Sequence, residues 1–185
     1  IEIIKGSSST LYGGDAIAGV VNFISALPSE KPVYNVLFNI ESTKSVDIGL
    51  YASHRFNKFG YTLLGQYRNQ QPKDWDGDKF SDYAKISRWN ISPDLYFFIN
   101  KNITLSAGVT YINETRKGGA LPALQNKIDS AGIYSYIESN ASSAVQSRLN
   151  ATIQLDKAKI VIRNGINYYK RDLSIPTYTF NGNQF

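Results

Sequence analysis

The stretch 45–70, SVDIGLYASHRFNKFGYTLLGQYRNQ, decides the fold. Val46, Ile48, Leu50, Ala52 and Phe56 share one parity, with His54 between the last two. Asp47, Gly49, Tyr51, Ser53, Arg55 and Asn57 share the other. After Asn57-Lys58 the alternation resumes, with Phe59, Tyr61, Leu63, Gly65 and Tyr67 set against Gly60, Thr62, Leu64, Gln66 and Arg68. Side chains of a strand point alternately to its two faces, so a period of two describes a sheet with one apolar and one polar side. The two-residue break is the length of a tight hairpin turn.

The same pattern runs outward from this hairpin. From about Lys85, Trp89, Ile91, Pro93, Leu95, Phe97 and Ile99 alternate with Asn90, Ser92, Asp94, Tyr96 and Phe98. Ile103, Leu105, Ala107, Val109 and Tyr111 form a further apolar line. Val145, Leu149, Ala151, Ile153 and Leu155 stand opposite Gln146, Arg148, Asn150, Thr152 and Gln154. Ile160, Ile162, Ile166 and Tyr168 stand opposite Lys159, Val161, Arg163, Asn167 and Tyr169. A less regular segment, 33–42, completes about seven antiparallel strands, so the expected class is all-β. Pro93 donates no backbone hydrogen bond and marks an expected bulge.

Composition narrows the function classes. The chain of 185 residues has 0 cysteines and 1 histidine, which removes thiol chemistry, cysteine-ligated zinc and clustered histidine metal sites. The formal net charge is +5, but the basic residues are spread along strands and loops, unlike the single basic face of a nucleic-acid binder. No apolar run approaches the roughly 18 residues of a transmembrane helix, a test that a membrane β-barrel passes unnoticed. Paired carboxylates poised for acid–base work are absent from the sequence pattern, and the chain is not read as an enzyme.

Residues 1–25, IEIIKGSSSTLYGGDAIAGVVNFIS, carry a second signal. Glu2-Ile3-Ile4 reads as the end of a buried strand, Gly6 as a turn, Ser7 to Thr10 as a cap on a short helical turn, and Gly19 to Ile24 as a returning strand. Ile1, Glu2, Ile3, Lys5, Gly6, Ser9, Leu11, Tyr12, Gly13, Ala16, Ile17, Gly19, Val20, Val21 and Asn22 fall in register on a pattern that resembles the closing segment of the plug domain of TonB-dependent outer-membrane receptors. Lys5 stands where Arg is more usual, Ser7 where Pro is common and Ala18 where Gly is common.

That resemblance implies an organisation. Residues 1–27 would end an α+β plug domain, 28–32 would be a linker, and 33–185 would be the first strands of an incomplete membrane β-barrel of roughly 22 strands. Within the plug motif, Glu2, Lys5, Gly6, Leu11, Tyr12, Gly13, Gly14, Gly19 and Asn22 would be structural. The implied location is the outer membrane of a Gram-negative bacterium. The implied partners are outer-membrane lipid, a TonB–ExbB–ExbD complex contacting a segment outside this chain, and a small-molecule or metal-chelate ligand. Counting from the plug, Asn57-Lys58, Asn100-Lys101-Asn102 and Asp156-Lys157 would be short inner turns. The long connections at about 70–82 and 114–144 would be external, as would the short one at Thr43-Lys44. Phe56, Phe59 and Tyr61 would then sit at the inner membrane boundary, and Tyr67, Trp89, Tyr111, Tyr168 and Tyr169 at the outer one. His54 would be an interfacial residue and not a ligand.

Two sets of site residues follow. Strand parity places Arg55, Arg68, Arg148 and Arg163 on the polar face, where in such a barrel they would border the lumen and its plug. Asp74, Asp76 and Asp78 with Gly77 are spaced to wrap a hard cation such as calcium, and equally to build a solvated turn. The run Asp76-Gly77-Asp78-Lys79-Phe80-Ser81 and the run Glu114-Thr115-Arg116-Lys117-Gly118-Gly119 both resemble segments of siderophore- and cobalamin-type receptors. Energised uptake of a ferric siderophore or a similar iron or cobalamin-type ligand is the implied function. Rival readings are a glycan-oligomer importer, a passive porin-like or adhesion barrel, and a soluble β-sandwich binding module.

Overall fold

The computed structural model describes residues 2–5, 19–22, 26–127 and 136–175. Strands β1 (Glu2–Lys5) and β2 (Gly19–Asn22) pair antiparallel, with Glu2 opposite Asn22 and Lys5 opposite Gly19. Gly6, Leu11, Tyr12, Gly13 and Gly14 of the N-terminal motif lie outside the described residues. Ile3 is exposed where the sequence reads as a buried strand.

Seven further strands build one antiparallel sheet in sequence order. They are β3 (Val33–Glu41), β4 (Ser45–Phe56), β5 (Phe59–Gln70), β6 (Lys85–Phe98), β7 (Ile103–Gly119), β8 (Ile137–Gln154) and β9 (Lys159–Ser174). A single helical turn, α1 (Leu121–Leu124), follows β7. No described helix is long and apolar enough to cross a membrane. The outer edges of β3 and β9 have no partner among the described residues. Unpaired edges invite further strands.

Register keeps the two parities apart. Ile48 faces Tyr67, Tyr67 faces Trp89, Leu50 faces Gly65, and Gly65 faces Ile91. Ile91 pairs with Tyr111, Tyr111 with Val145, and Val145 with Tyr168. A one-residue slip in any pair would move a whole strand's apolar set to the other side. Pro93 introduces no extra residue: β6 and β7 pair at Ile91–Tyr111 and resume at Asp94–Gly108 in the same register. The missing donor interrupts the β7 side of the ladder, while Leu63 still pairs with Pro93 on the other. The expected bulge is therefore absent. Tyr169, expected beside Tyr168 at the boundary, lies on the polar side by the same parity.

The apolar side is the exposed one. Val36, Phe38, Leu50, Trp89, Ile91, Leu95, Phe97, Tyr111, Leu149, Ile162 and Ile166 are all exposed, Val36 at 74% and Ile166 at 69%. The buried strand residues Ser53, Thr62, Tyr96, Phe98 and Thr110 all sit on the polar side. An antiparallel sheet in a water-soluble protein shows the reverse.

Turn chemistry explains the short connections. Asn57 takes the left-handed conformation (φ 47°) between Phe56 and Phe59. In the Ser42–Lys44 turn the Lys44 N–H donates to the Glu41 carbonyl at 3.0 Å, and Lys44 is left-handed (φ 59°). Asn100 Oδ1 accepts from the N–H groups of Asn102 and Ile103, both at 2.8 Å, an Asx turn. The long connection expected at 114–144 is shorter than the sequence suggests, because β7 runs to Gly119 and β8 begins at Ile137. Backbone pairing continues there without apolar alternation, through Asn113–Ser143, Thr115–Ala141 and Lys117–Ser139. Asn57→Val is expected to lower unfolding free energy by about 1–2 kcal/mol, since a left-handed β-branched residue is strained, and Asn57→Gly to leave it unchanged in equilibrium denaturation.

Candidate functional site

The polar face concentrates its charge in paired groups. At the long-loop end, Arg68 lies 3.4 Å from Asp47 and 3.8 Å from Glu41, and donates to Gln70 Oε1 at 2.9 Å. Arg88 stands directly opposite Arg68 and meets Glu114 at 3.7 Å, while Arg116 meets the same carboxylate at 3.3 Å. A hollow of about 440 Å³ is lined here by Asn39, Asp47, Gln66, Arg68 and Arg88, among others. Each of these arginines thus meets a carboxylate.

Mid-sheet, Arg148 on β8 reaches across β7 to β6. Its Nη2 lies 2.9 Å from Asp94 Oδ1 and 3.2 Å from Ser92 Oγ, and its Nη1 donates to Thr110 Oγ1 at 2.7 Å. Gly108 makes this possible. It pairs with both Asp94 and Arg148, and a Cβ there would collide with Asp94 Oδ1 and stand 2.8 Å from Asp94 Cγ. Gly108, Asp94 and Arg88 were not singled out from the sequence, and Glu114 entered only as the start of a loop run. The signal for Gly108 was a glycine interrupting a regular strand, which marks a close approach.

At the short-turn end the segment 26–32 lies against the sheet. Pro28 is buried, and a Cβ on Gly60 would lie 2.7 Å from Pro28 Cγ and 3.3 Å from Phe98. The Arg55 N–H donates to the Ser29 carbonyl at 2.9 Å, and the Arg55 guanidinium sits 3.7 Å over the Phe98 ring. His54 Nε2 bonds the Glu30 carbonyl at 3.1 Å, and its ring packs on Phe56 at 3.9 Å. Of the four arginines singled out by parity, Arg55, Arg68 and Arg148 are so engaged. Arg163 on edge strand β9 shows no polar side-chain partner among the described residues.

Beyond β5, the carboxylates of Asp74, Asp76 and Asp78 come within 4.8 Å of one another. They are already spent on the loop backbone. Asp74 accepts from the N–H of Gly77 at 2.7 Å and of Lys79 at 2.9 Å, Asp76 from Asp78 at 3.2 Å, and Asp78 from Phe80 at 2.7 Å. Those bonds, the one from Gly77 above all, hold the Asp74 carboxyl below its ordinary value. The remaining carboxylate lone pairs fit a hard oxygen-seeking cation such as calcium, which needs more oxygens than these three side chains supply.

The two loop runs that the sequence treats separately meet here. Ser81 N–H donates to the Gly119 carbonyl at 2.9 Å, and Gly119 N–H donates to Ser81 Oγ at 2.9 Å. Leu121 N–H adds a bond to the Lys79 carbonyl at 2.8 Å. Gly119 adopts φ +127°, and a Cβ would strike the Tyr136 carbonyl oxygen. The glycine pair is therefore a clasp between two connections and not the start of a free loop.

Gly108→Ala is expected to cost about 1–3 kcal/mol of stability, and much less in an Asp94→Ala background that removes the colliding carboxylate, read by a double-mutant denaturation cycle. Because the folded Asp74 value is depressed, its contribution is present above the unfolded value and lost as pH falls through the folded one. Trp75 fluorescence should hold steady on acidification from neutral pH and change only below the ordinary 3.8. Compared with known proteins, the chain matches no protein-family model and no solved structure.

Proposed function

We propose that this chain is part of an outer-membrane β-barrel receptor of the TonB-dependent type, comprising the end of its plug and its first seven strands. The observation that carries the reading is the inverted sheet: exposed aliphatic and aromatic side chains on one face, paired ions and hydroxyls on the other. Such a face is stable in hydrocarbon, where every backbone group is satisfied between strands. β4 to β9 have 12 to 18 residues, ample for a tilted crossing of about 9–11.

The linker supports the plug as well. Residues 26–32 reach the short-turn end and seat Pro28 on Gly60 and Phe98 of the polar face, the side a plug would fill. In this reading Arg55, Arg68, Arg148 and Arg163 border the lumen, and the aspartate loop lies outside the cell. The cargo is a scarce solute of the ferric siderophore or cobalamin type, taken up with energy from a TonB complex. Transport, and not catalysis, is the work of the protein.

Two tests separate this reading from its rivals. Ile91→Arg, on the apolar face, is expected to cost about 2–4 kcal/mol of barrel stability in lipid, and Asn90→Arg, on the polar face, close to nothing. Equal effects would contradict a lipid-facing Ile91, and the same asymmetry measured on a protein that folds in water without lipid would favour a soluble sandwich. In the host, deletion of the full-length protein is expected to abolish growth on one iron or cobalamin source in a TonB-dependent manner. Loss of passive solute flux alone would identify a porin.

A further inference from the structure

In the segment 26–32 Pro28 is buried, while Ala26, Leu27 and Ser29 to Pro32 are exposed. Its slot lies on the polar face, where Gly60 leaves room for the ring: a Cβ on Gly60 would stand 2.7 Å from Pro28 Cγ. The next two residues hold the end of β4. The Arg55 N–H donates to the Ser29 carbonyl at 2.9 Å. His54, whose side chain belongs to the opposite, apolar parity, donates from Nε2 to the Glu30 carbonyl at 3.1 Å. Three successive residues are thus fastened to β4 and β5, and from both faces of the sheet.

These fastenings do not continue the β3 ladder. Val33 pairs with Ser53, so an unbroken register would put Lys31 opposite Arg55. Ser29 supplies the acceptor instead, and the two surplus residues are taken up in a loop that Ser29 Oγ closes on the Lys31 carbonyl at 2.8 Å. An antiparallel ladder opens pair by pair from its end, and a break in register interrupts that progression. Pro28 and Pro32 bound the loop and restrict its backbone, which lowers the entropy gained on release. Upstream, β1 and β2 have only 4 residues each, a length of pairing that is marginal by itself, whereas β3 has 9.

We propose that residues 28–30 form a strap that isolates the seven-stranded sheet from the chain before it, so that β1 and β2 open without loosening β3. Pro28, Gly60 and His54 are its positioning residues. The strap stands on contacts within the sheet and does not depend on what covers the apolar face. Its use rests on the receptor reading: there the chain before residue 28 is the end of the plug, and the strap is the point at which displacement of that chain stops.

The test is hydrogen exchange of the full-length protein in neutral-detergent micelles, at urea concentrations below those that unfold the sheet, with single-residue mass spectrometry. In the native protein the amides of β1 and β2 are expected to exchange first, with Arg55 and β3 still protected. Gly60→Ala, which evicts Pro28, and Pro28→Ala, which empties the slot without crowding the sheet, should each speed Arg55 exchange about tenfold or more. Gly65→Ala, whose Cβ would lie an ordinary 3.8 Å from Leu50 Cβ, should leave it unchanged. Protection of β5 to β7 reports that each variant is folded; if Gly60→Ala loses it, Pro28→Ala decides. Two results overturn the strap: Arg55 exchanging together with β1 and β2 in the native protein, or Arg55 exchange unaffected by Pro28→Ala. Heat-modifiable gel mobility, read on the same samples, tests the barrel separately. Its absence would overturn the receptor reading, while the exchange data would still decide the strap.

Discussion

An apolar sheet face with no protein layer against it needs a non-aqueous neighbour, and the architecture of this chain follows from that need. No described residue covers Val36, Ile91, Leu149 or Ile162. Exposed apolar patches beyond a few hundred Å² are rare on soluble monomers. The register binds all seven strands to one arrangement, because it lays one apolar line beside the next, as in Ile48–Tyr67–Trp89 and Ile91–Tyr111–Val145–Tyr168. In the proposed barrel, hydrocarbon as solvent would make the exposed face an asset and leave the other face to enclose water.

The polar face must then satisfy itself. It does so through contacts that span more than one strand, as Arg148 does in crossing β7 to reach Asp94, and through small residues that leave room for them. Gly108 gives passage to that ion pair, and Gly60 receives Pro28 of the linker. Charges are balanced locally, with Asp47, Glu41 and Glu114 set among Arg68, Arg88 and Arg116. If this face borders a lumen, as proposed, the lining at its loop end would be polar but nearly neutral. Ligand contacts there would be hydrogen bonds exchanged with existing ion pairs.

Strands and face assignment were legible because a period of two is a local property. The line Val46, Ile48, Leu50 and its partner Tyr67, Leu63, Phe59 could be read without knowing the fold. Strand ends were less legible where the pattern stopped carrying information. The segments 113–119 and 137–144 are polar or small on both parities apart from Ile137, so pairing continued past the last alternating residue. Cross-strand contacts were not legible at all. The Arg148–Asp94 pair joins residues 54 positions apart, and the Ser81–Gly119 clasp joins two connections. The aspartate trio was legible as a cluster, but not that its oxygens would be engaged by its own backbone. Pro93 shows the opposite error: a lost hydrogen bond was taken to imply a lost register, and the neighbouring pairs hold the register without it.

The most direct measurement of the central claim compares two adjacent residues of β6. Nitroxide labels are placed at Ile91→Cys and at Asn90→Cys in the full-length protein reconstituted in lipid, and their collision rates with oxygen and with a water-soluble nickel chelate are recorded. The account requires the label at 91 to collide mainly with oxygen, as lipid-exposed sites do, and the label at 90 mainly with the chelate. Matching accessibility at the two positions, or a label at 91 shielded from both reagents by another protein layer, would contradict it.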